Sequence, residues 1–289
     1  MRDETHSGVL RLRGPARPTV PLVFDSPHSG TIYPDDFRHV APLQALRRAE
    51  DTHVDELYGA APDQDCVLLA ALFPRSYVDP NRNTLDQDPD LLDGTWPEPL
   101  APSSRSLSGR GLIWGGYPPG LPLYDRKLPV EEVRLRIERY HAPYHGALER
   151  ELDGAYGAFG TVWHVNCHSM PSVSTDMSPE GPGVTRPDIT LGDRDGTACA
   201  PAFTAFVRDY FAGRGYSVTI NDPYKGAYLV SAYANPEEGR HSLMIELNRR
   251  LYMDEETLEK NAGFARLQGE LTGLITALAG FARGQVGRT

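Results

Sequence analysis

The sequence predicts an α/β fold in which helices cover both faces of a central sheet. Short apolar runs rich in β-branched residues, as at residues 20–24, alternate with longer amphipathic stretches such as residues 130–158. The chain has 289 residues, which is enough to bury a sizeable core. No internal repeat or interdomain linker interrupts it, so we expect a single domain over residues 1–289.

The N-terminal half predicts strands and a helix, followed by a long loop. A buried strand at 20–24 ends in a polar loop, and a helical stretch at 42–61 follows it. Residues 66–72 and 75–78 predict two more strands. Residues 80–128 are dense in Pro, Gly, Asp and Ser, and so long a loop in a compact domain often serves as a lid or binding loop.

The C-terminal half alternates between helices and strands. Residues 130–158 predict an amphipathic helix with a kink or break at Pro143. Further strands are predicted at 161–165, 189–191, 217–220 and 241–247, and further helices at 200–213 and 254–281. Asp254 is expected to cap the last helix, because aspartate accepts hydrogen bonds from the first free N–H groups of a helix.

Composition excludes several classes of function. The net charge is −10, from 39 acidic and 29 basic residues, which argues against nucleic acid as a partner. The longest apolar run, residues 66–73, is far shorter than the roughly 20 residues that a bilayer requires. The N-terminus lacks the apolar stretch of a signal peptide, and three widely spaced cysteines form no disulfide framework. We therefore expect a cytoplasmic protein that binds a small molecule and neither nucleic acid nor membrane.

Residues that could take part in catalysis or bind a metal lie at or near the ends of predicted strands. His28, Asp79, His168 and Glu246 occupy such positions, and sites in open α/β sheets form at the carboxyl edge of the strands. Two histidines, a carboxylate and a further glutamate match a catalytic metal site. Glu246 interrupts an apolar strand, and its alternative role is a structural salt bridge to Arg249 or Arg82.

Other patterns carry less weight. His141 and His145 are four residues apart but lack the intervening glutamate of a zinc helix, so we expect solvated helix residues. The glycine-rich segment 109–120 lacks a phosphate-loop ending and predicts a flexible lid. His164 is expected to be a packed strand histidine, and Cys167 to pack under the site. The sequence contains no Gly-x-Ser-x-Gly motif, which argues against a serine hydrolase.

A series of ordered motifs resembles one known family. These are SPHSG at 26–30, EDTHVDELY at 50–58, RSYVDPNR at 75–82, NCHSMPS at 166–172, PDITLGDRDG at 187–196, YKGAYLV at 224–230 and GRHSLMIELNRRLYM at 239–253. They are similar to the N-formylglutamate amidohydrolase family over roughly residues 20–275. The resemblance implies a three-layer α/β/α fold with a central mixed sheet, of the phosphorylase/hydrolase-like type shared with zinc exopeptidases and aspartoacylases.

The same resemblance implies a metal site and a base. His28, Asp51 and His168 match the ligands of one Zn²⁺, although other divalent metals suit this donor set as well. Glu50 is the alternative to Asp51, because adjacent residues of a helix point about 100° apart. Glu246 matches the general base.

Substrate contacts follow from the resemblance too. Arg75 is similar to the arginine that polarises the scissile carbonyl, while Asn81 and Arg82 are similar to a pair that holds the α-carboxylate. A second carboxylate on the substrate needs another cation, and four residues are candidates: Arg249, Arg250, Arg240 and Lys225. The substrate expected from these contacts is a small acidic N-acyl amino acid.

Two positions depart from the family pattern. Asn166 stands where many relatives carry an aspartate, so it lacks the charge that strengthens a neighbouring ligand, and we expect lower metal affinity. Pro80 replaces a more usual leucine, which stiffens the loop without removing a functional group.

The implied function is zinc-dependent hydrolysis of N-formyl-L-glutamate to formate and L-glutamate, a step of histidine degradation in that family. One alternative is a metal-dependent hydrolase of another N-acyl amino acid or small amide. An alternative of another class is a non-catalytic anion-binding module on the same fold. Its sign would be the loss of Glu246 or of a histidine ligand, and all of these are present.

Overall fold

A computed structural model of the protein describes residues 1–118, 120–176 and 178–287; Pro119, which falls in the predicted lid, lies outside them. Ten strands are found in this part of the chain: β1 (Arg2–His6), β2 (Leu10–Gly14), β3 (Leu22–Ser26), β4 (Val67–Ala71), β5 (Leu92–Asp93), β6 (Leu128–Pro129), β7 (Val162–Met170), β8 (Ile189–Gly192), β9 (Val218–Ile220) and β10 (Arg240–Asn248).

Eight of these strands form a central mixed sheet in the order β1-β2-β4-β3-β7-β10-β8-β9. The four middle strands, β4, β3, β7 and β10, run parallel, whereas β2 pairs antiparallel with both β1 and β4, and β8 pairs antiparallel with β10. Strands β5 and β6 form a small separate pair. The predicted α/β fold with a central mixed sheet is confirmed.

Helices cover both faces of the sheet. They are α1 (Leu43–Arg47), α2 (Val54–Leu57), α3 (Ser104–Leu107), α4 (Val130–Arg136), α5 (Ala142–Phe159), α6 (Pro201–Ala212), α7 (Tyr228–Tyr233) and α8 (Phe264–Gln285). One apolar core packs the sheet against α2, α6 and α8, and a second packs the opposite face against α4 and α5. In the described residues, no helix is long and apolar enough to cross a membrane.

Strand alternation decides which face receives the polar residues. Cys167 of β7 and Ile245 of β10 belong to the core under α8. Because successive side chains of a strand point to opposite faces, Asn166, His168 and Glu246 point toward the α5 face. The apolar positions thus anchor the strands, while the alternate positions are available for chemistry.

Several predicted boundaries were wrong. Residues 75–78 form a turn, and the stretch 42–61 is two short helices, α1 and α2, with residues 50–53 between them. The last helix begins at Phe264 rather than at 254, because Asp254 caps a separate turn by accepting from the N–H groups of Glu256 and Thr257. Strand β7 continues through His168 instead of ending before it.

Six of the strands and helices given above were not predicted: β1, β2, β5, β6, α3 and α7. Strand β1 has the sequence RDETH and is largely exposed, so it carries none of the apolar alternation that indicates a strand. Its pairing with β2 supplies the stabilisation that its own side chains do not.

The predicted break at Pro143 takes the form of a π-helix over Ile137–His141 that joins α4 to α5. His141 and His145 are not solvated, which corrects the prediction. His141 Nε2 lies 3.0 Å from the carbonyl oxygen of Arg82, and His145 Nε2 lies 2.8 Å from that of Pro80. Each ring nitrogen donates to its carbonyl, so this helix holds the loop that carries the DPNR sequence.

The segment 80–128 packs extensively against the rest of the protein. Leu112, Ile113, Leu123 and Tyr124 are buried in the same core as Leu148 of α5. These contacts anchor much of the segment, and its movement as a lid stays a prediction.

Candidate active site

Loops after β3 and before α2 bring His28 and Asp51 side by side. The N–H of Asp51 donates to the carbonyl oxygen of His28 at 2.9 Å, and Ser29 Oγ donates to that of Asp51 at 3.2 Å. Gly30 allows the close course of the chain, since a Cβ there would lie 2.2 Å from the carbonyl oxygen of Phe73. The SPHSG motif therefore positions His28 through backbone contacts.

His28, Asp51 and His168, which we call the Asp51 cluster, bring three candidate ligand atoms within 4.8 Å of one another. His168 Nδ1 lies 2.9 Å from Asp51 Oδ2, and His28 Nδ1 lies 3.4 Å from the same oxygen. All three side chains are buried. The residues predicted as metal ligands therefore converge on one point.

The far nitrogen of each ring determines where the ring proton lies. His28 Nε2 is 2.8 Å from Asp79 Oδ1, and His168 Nε2 is 2.7 Å from Asn166 Oδ1. Carboxylate and amide oxygens only accept, so Nε2 is the donor in both rings. Nδ1 of each ring then faces Asp51 and is available as a ligand atom.

This donor set fits a divalent cation. Two imidazole nitrogens and one carboxylate oxygen are the protein ligands of many catalytic zinc sites, which keep a further position open. His28 Nδ1 is buried and has no hydrogen-bond partner in the described part of the chain. A cation would stabilise that lone pair, which otherwise carries an uncompensated cost of desolvation.

Arg249 orients Asp51. Its Nη2 donates to Asp51 Oδ1 at 3.1 Å and to the carbonyl oxygen of Glu50 at 2.5 Å. Nη1 donates to the carbonyl oxygen of Arg48, and Nε donates to Ser169 Oγ. We expected Arg249 to bind substrate, but each of its guanidinium nitrogens already binds a protein oxygen, so its contacts favour a positioning role.

Glu50, the alternative ligand, points away from the cluster. Its carboxylate accepts from Tyr33 Oη at 2.7 Å and lies 3.5 Å from Arg47 Nε. Asp51 instead faces the two rings, with its Oδ2 2.9 Å from His168 Nδ1 and 3.4 Å from His28 Nδ1. Asp51 is thus the acidic member of this site.

Glu246 stands beside the cluster. It lies opposite His168 in the parallel register of β7 and β10, so both side chains occupy the same face of the sheet. Its Oε2 is buried with no hydrogen bond to any described residue, and neither Arg249 nor Arg82 forms the salt bridge weighed as an alternative. Burial raises the pKa of Glu246, as suits a general base.

Asn166 connects His168 to a second buried carboxylate. Asn166 Nδ2 donates to Asp25 Oδ1 at 2.7 Å, which directs its Oδ1 toward His168 Nε2. Asp25 also accepts from His164 Nε2 at 2.8 Å and from Tyr144 Oη at 2.7 Å. The charge expected to be missing at position 166 is therefore supplied one residue further out, by Asp25.

Asp25, Tyr144, His164, Asn166 and Ser242 form a hydrogen-bonded network that we call the Asp25 cluster. Burial opposes ionisation of Asp25, but His164, Asn166 and Tyr144 outweigh it and lower its pKa. The prediction that His164 is a packed strand histidine is confirmed by its burial and its two partners.

The predicted substrate residues Arg75, Asn81 and Arg82 all line the same cleft. Arg75 donates from Nε and Nη2 to Asp79 Oδ2, at 3.2 and 2.9 Å, which leaves Nη1 without a hydrogen bond among the described residues. Asn81 Oδ1 accepts from the N–H of Leu229. This bond turns Asn81 Nδ2 toward the ring of His168, whose protonated Nε2 cannot accept from it, so Nδ2 keeps its hydrogens for a ligand.

The other candidates for a second carboxylate are engaged elsewhere. Arg250 pairs with Asp188 at 2.8 Å and Arg240 pairs with Asp153 at 2.7 Å, and neither lines the cleft. Lys225 lines it but pairs with Asp195 at 2.8 Å. The structure thus contradicts two of the four predicted positions and leaves the cation for a second carboxylate to be sought within the cleft.

The cleft measures about 750 Å³ and is strongly basic. Nine of its described lining residues are cationic and three are acidic, in a chain whose net charge is −10. The cations are Arg48, Arg75, Arg82, Arg105, Arg110, Arg186, Arg194, Lys225 and Arg249. A cleft lined by one sign of charge concentrates ligands of the opposite sign, so this site suits an anionic ligand.

Comparisons with known proteins agree with this geometry. A model of the N-formylglutamate amidohydrolase family matches residues 20–253. The chain belongs to this family. It is therefore an amidohydrolase, and the resemblance noted in its motifs is confirmed.

Individual proteins of this family are similar in sequence to the amidohydrolase over most of their length. N-formylglutamate amidohydrolase from Ralstonia eutropha JMP134, a crystal structure, is 48% identical, with a TM-score of 0.91, and the match covers 96% of this chain and 100% of that one. N-formylglutamate deformylase from Pseudomonas putida is 30% identical over 82% of this chain and 83% of its own. The deformylase from Pseudomonas aeruginosa is 31% identical, over 83% and 85%.

Sequence reasoning missed several residues of the cleft. Arg105 and Arg110 lie in the long loop, where no periodicity distinguishes a buried arginine from an exposed one. Asp25 precedes the SPHSG motif directly, but its partner Asn166 is 141 residues away. A carboxylate inside an apolar strand was the available signal for Asp25, as it was for Glu246.

Proposed function

We propose that this amidohydrolase is a metal-dependent N-formylglutamate deformylase, which hydrolyses N-formyl-L-glutamate to formate and L-glutamate. The observation that supports the proposal most directly is the Asp51 cluster beside Glu246 in an arginine-lined cleft. The substrate is that of the relatives, whose names specify N-formylglutamate.

His28, Asp51 and His168 would hold one divalent ion, with zinc as the first choice. When bound, such an ion lowers the pKa of a water from about 16 to near 7 and polarises a carbonyl group. Asp79 and Asn166 keep the ring protons on Nε2, so both Nδ1 lone pairs are available to the ion. Arg249 holds the carboxylate of Asp51 in place.

Glu246 moves the proton. It accepts a proton from the attacking water and delivers it to the amino nitrogen as the C–N bond breaks, so formate and the amine leave and the carboxylate is regenerated. Arg75 stabilises the oxyanion of the tetrahedral intermediate through Nη1, with Asp79 holding the guanidinium. Arg82 and Asn81 bind the α-carboxylate and so orient the formamide.

Formate release tests the function. We expect the purified protein to release formate from N-formyl-L-glutamate. This release should stop when a chelator removes the metal and recover when zinc is added back. Release that persists in chelator would contradict metal dependence. Turnover of N-acetyl-L-glutamate without turnover of the formyl compound would replace the proposed acyl group with another.

Glu246→Gln tests the base. The amide keeps the size of the side chain but cannot accept the proton, so kcat should fall by about 10²- to 10⁴-fold while bound metal stays at one ion per chain. Metal analysis by mass spectrometry serves as the control. A variant with wild-type kcat would show that another group takes the proton.

A further inference from the structure

We propose that the guanidinium of Arg105 binds the side-chain carboxylate of the substrate, while Arg82 binds its α-carboxylate. This inference rests on the proposed function and names the residue that selects an acidic side chain. The two carboxylates of N-formylglutamate are separated by three carbon atoms, so a site for both needs two cations close together.

At least five of the nine cations of the cleft are paired with an acidic residue of the protein. The pairs are Arg75–Asp79, Arg82–Asp86, Arg186–Glu180, Lys225–Asp195 and Arg249–Asp51, at 2.9, 4.0, 2.8, 2.8 and 3.1 Å. Arg105 differs from them. Within residues 1–118, 120–176 and 178–287, its guanidinium forms neither an ion pair nor a hydrogen bond, and it lies 5.9 Å from the centre of the Tyr224 ring.

The backbone under Arg105 is nevertheless fixed. Ser103 caps α3 by accepting from the N–H of Ser106, and both the N–H and the hydroxyl of Ser103 donate to Asp86, at 2.8 and 3.1 Å. Ser106, next to Arg105, is buried. A partly buried arginine on a held backbone, with its donors unused, is arranged for a ligand rather than for the fold.

Arg110 connects this residue to the proposed α-carboxylate site. Its N–H donates to the carbonyl oxygen of Arg105 at 2.8 Å, and its own carbonyl oxygen accepts from Arg82 Nε at 3.3 Å. The side chain of Arg82 and the backbone of Arg105 therefore both contact the backbone of Arg110. Burial, together with the nearby charges of Arg105, Arg75 and Arg82, lowers the pKa of Arg110 to about 10, as expected where several cations lie close together.

Tyr224 completes the site. Its ring contacts the guanidinium of Arg105 and also that of Arg186, whose centre lies 5.0 Å from the ring. A contact with an aromatic face positions a guanidinium without using its N–H donors. The donors of Arg105 stay available for a bidentate carboxylate.

Arg105→Ala tests the inference with two substrates, N-formyl-L-glutamate and N-formyl-L-glutamine, which differ in the charge of the side chain. In the variant, KM for the glutamate compound should rise by about 10- to 100-fold, with KM for the glutamine compound and both kcat values within about 3-fold of wild type. In Arg105→Lys, KM for the glutamate compound should lie between the values of wild type and Arg105→Ala. Lysine keeps the positive charge but cannot form the bidentate hydrogen bonds of a guanidinium. Arg194→Ala is the matched control, since Arg194 is an exposed arginine of the same cleft.

The outcomes separate the two proposals. A wild-type preference for the glutamate compound that survives in Arg105→Ala, or an equal rise in KM for both compounds, would overturn the role of Arg105 and leave the deformylase function intact. If neither compound releases formate, the deformylase function fails. Calorimetric titration of the same two compounds then decides on Arg105: a preference lost in Arg105→Ala supports the inference, and equal affinities in wild type refute it.

Discussion

The Asp51 cluster and the Asp25 cluster both place a buried aspartate next to a histidine of β7. The two histidines, His164 and His168, are four residues apart on that strand. In the Asp25 cluster every carboxylate contact has a donor: His164 Nε2, Asn166 Nδ2 and Tyr144 Oη. In the Asp51 cluster the two Nδ1 atoms face the carboxylate as lone pairs.

The partner of the far ring nitrogen accounts for this difference. His164 Nε2 donates to Asp25, so its proton points at the carboxylate, and its Nδ1 lies 2.8 Å from Ser242 Oγ. His28 and His168 donate their protons outward, to Asp79 and Asn166. Burial and residue type alone therefore do not separate the two clusters; the direction of the ring protons does.

Replacing one histidine from each cluster gives the largest expected contrast. His168→Ala should lose bound metal and formate release together, because one of three ligands is gone. His164→Gln should keep both, since the amide can still donate to Asp25. Metal per chain, measured by mass spectrometry on folded protein, is the readout. Equal metal loss in the two variants would contradict the hypothesis that the Asp51 cluster, and not the Asp25 cluster, binds the metal.

Asn166→Ala tests the connection between the clusters. Without the acceptor on Nε2, the ring of His168 is no longer held with its lone pair toward Asp51, so metal affinity should fall by about 10- to 100-fold. Competition with a chelator measures it. Asn221→Ala is the control, because Asn221 Nδ2 also donates to an aspartate, Asp193, but outside the cleft. An unchanged affinity in Asn166→Ala would make the link to Asp25 purely structural.

Tyr144→Phe should have the smallest effect and act on stability alone. Losing the donor to Asp25 should reduce the free energy of unfolding by about 1.5 kcal/mol at pH 7. The folded protein lowers the pKa of Asp25, so this stabilisation is present above the unfolded pKa of about 3.9 and is lost as the pH falls through the folded value. Urea denaturation at a series of falling pH values should show the penalty shrinking once the pH passes below the folded pKa of Asp25. A penalty that stays constant down to full protonation of Asp25 would contradict the assignment of charge to this residue.

The central strands could be predicted from sequence because each carries its own apolar run. The exposed β1 does not, and only its pairing with β2 makes it a strand. The positions of His28, His168 and Glu246 followed from strand ends and from family motifs. What the chain does with Arg249 could not be predicted, because its partners are backbone oxygens of residues about 200 positions away.

The long loop marks a second limit of local patterns. Arg105 and Arg110 lie in a segment without periodicity, and their approach to the cleft depends on Asp86 holding Ser103. The prediction that His141 and His145 are solvated was wrong because it rested on the absence of a zinc motif, which carries no information about packing. The π-helix that ends at His141 turns both rings inward instead.

That π-helix also sets the rotational phase of α5. A π turn contains about one residue more than an α turn, and each residue of a helix advances its face by about 100°. Deleting a residue from Ile137–His141 would rotate all of α5 as a unit, carrying Tyr144 away from Asp25 and His145 away from Pro80 in one step. The number of residues in this helix is thus as much a determinant of the site as the identity of any side chain in it.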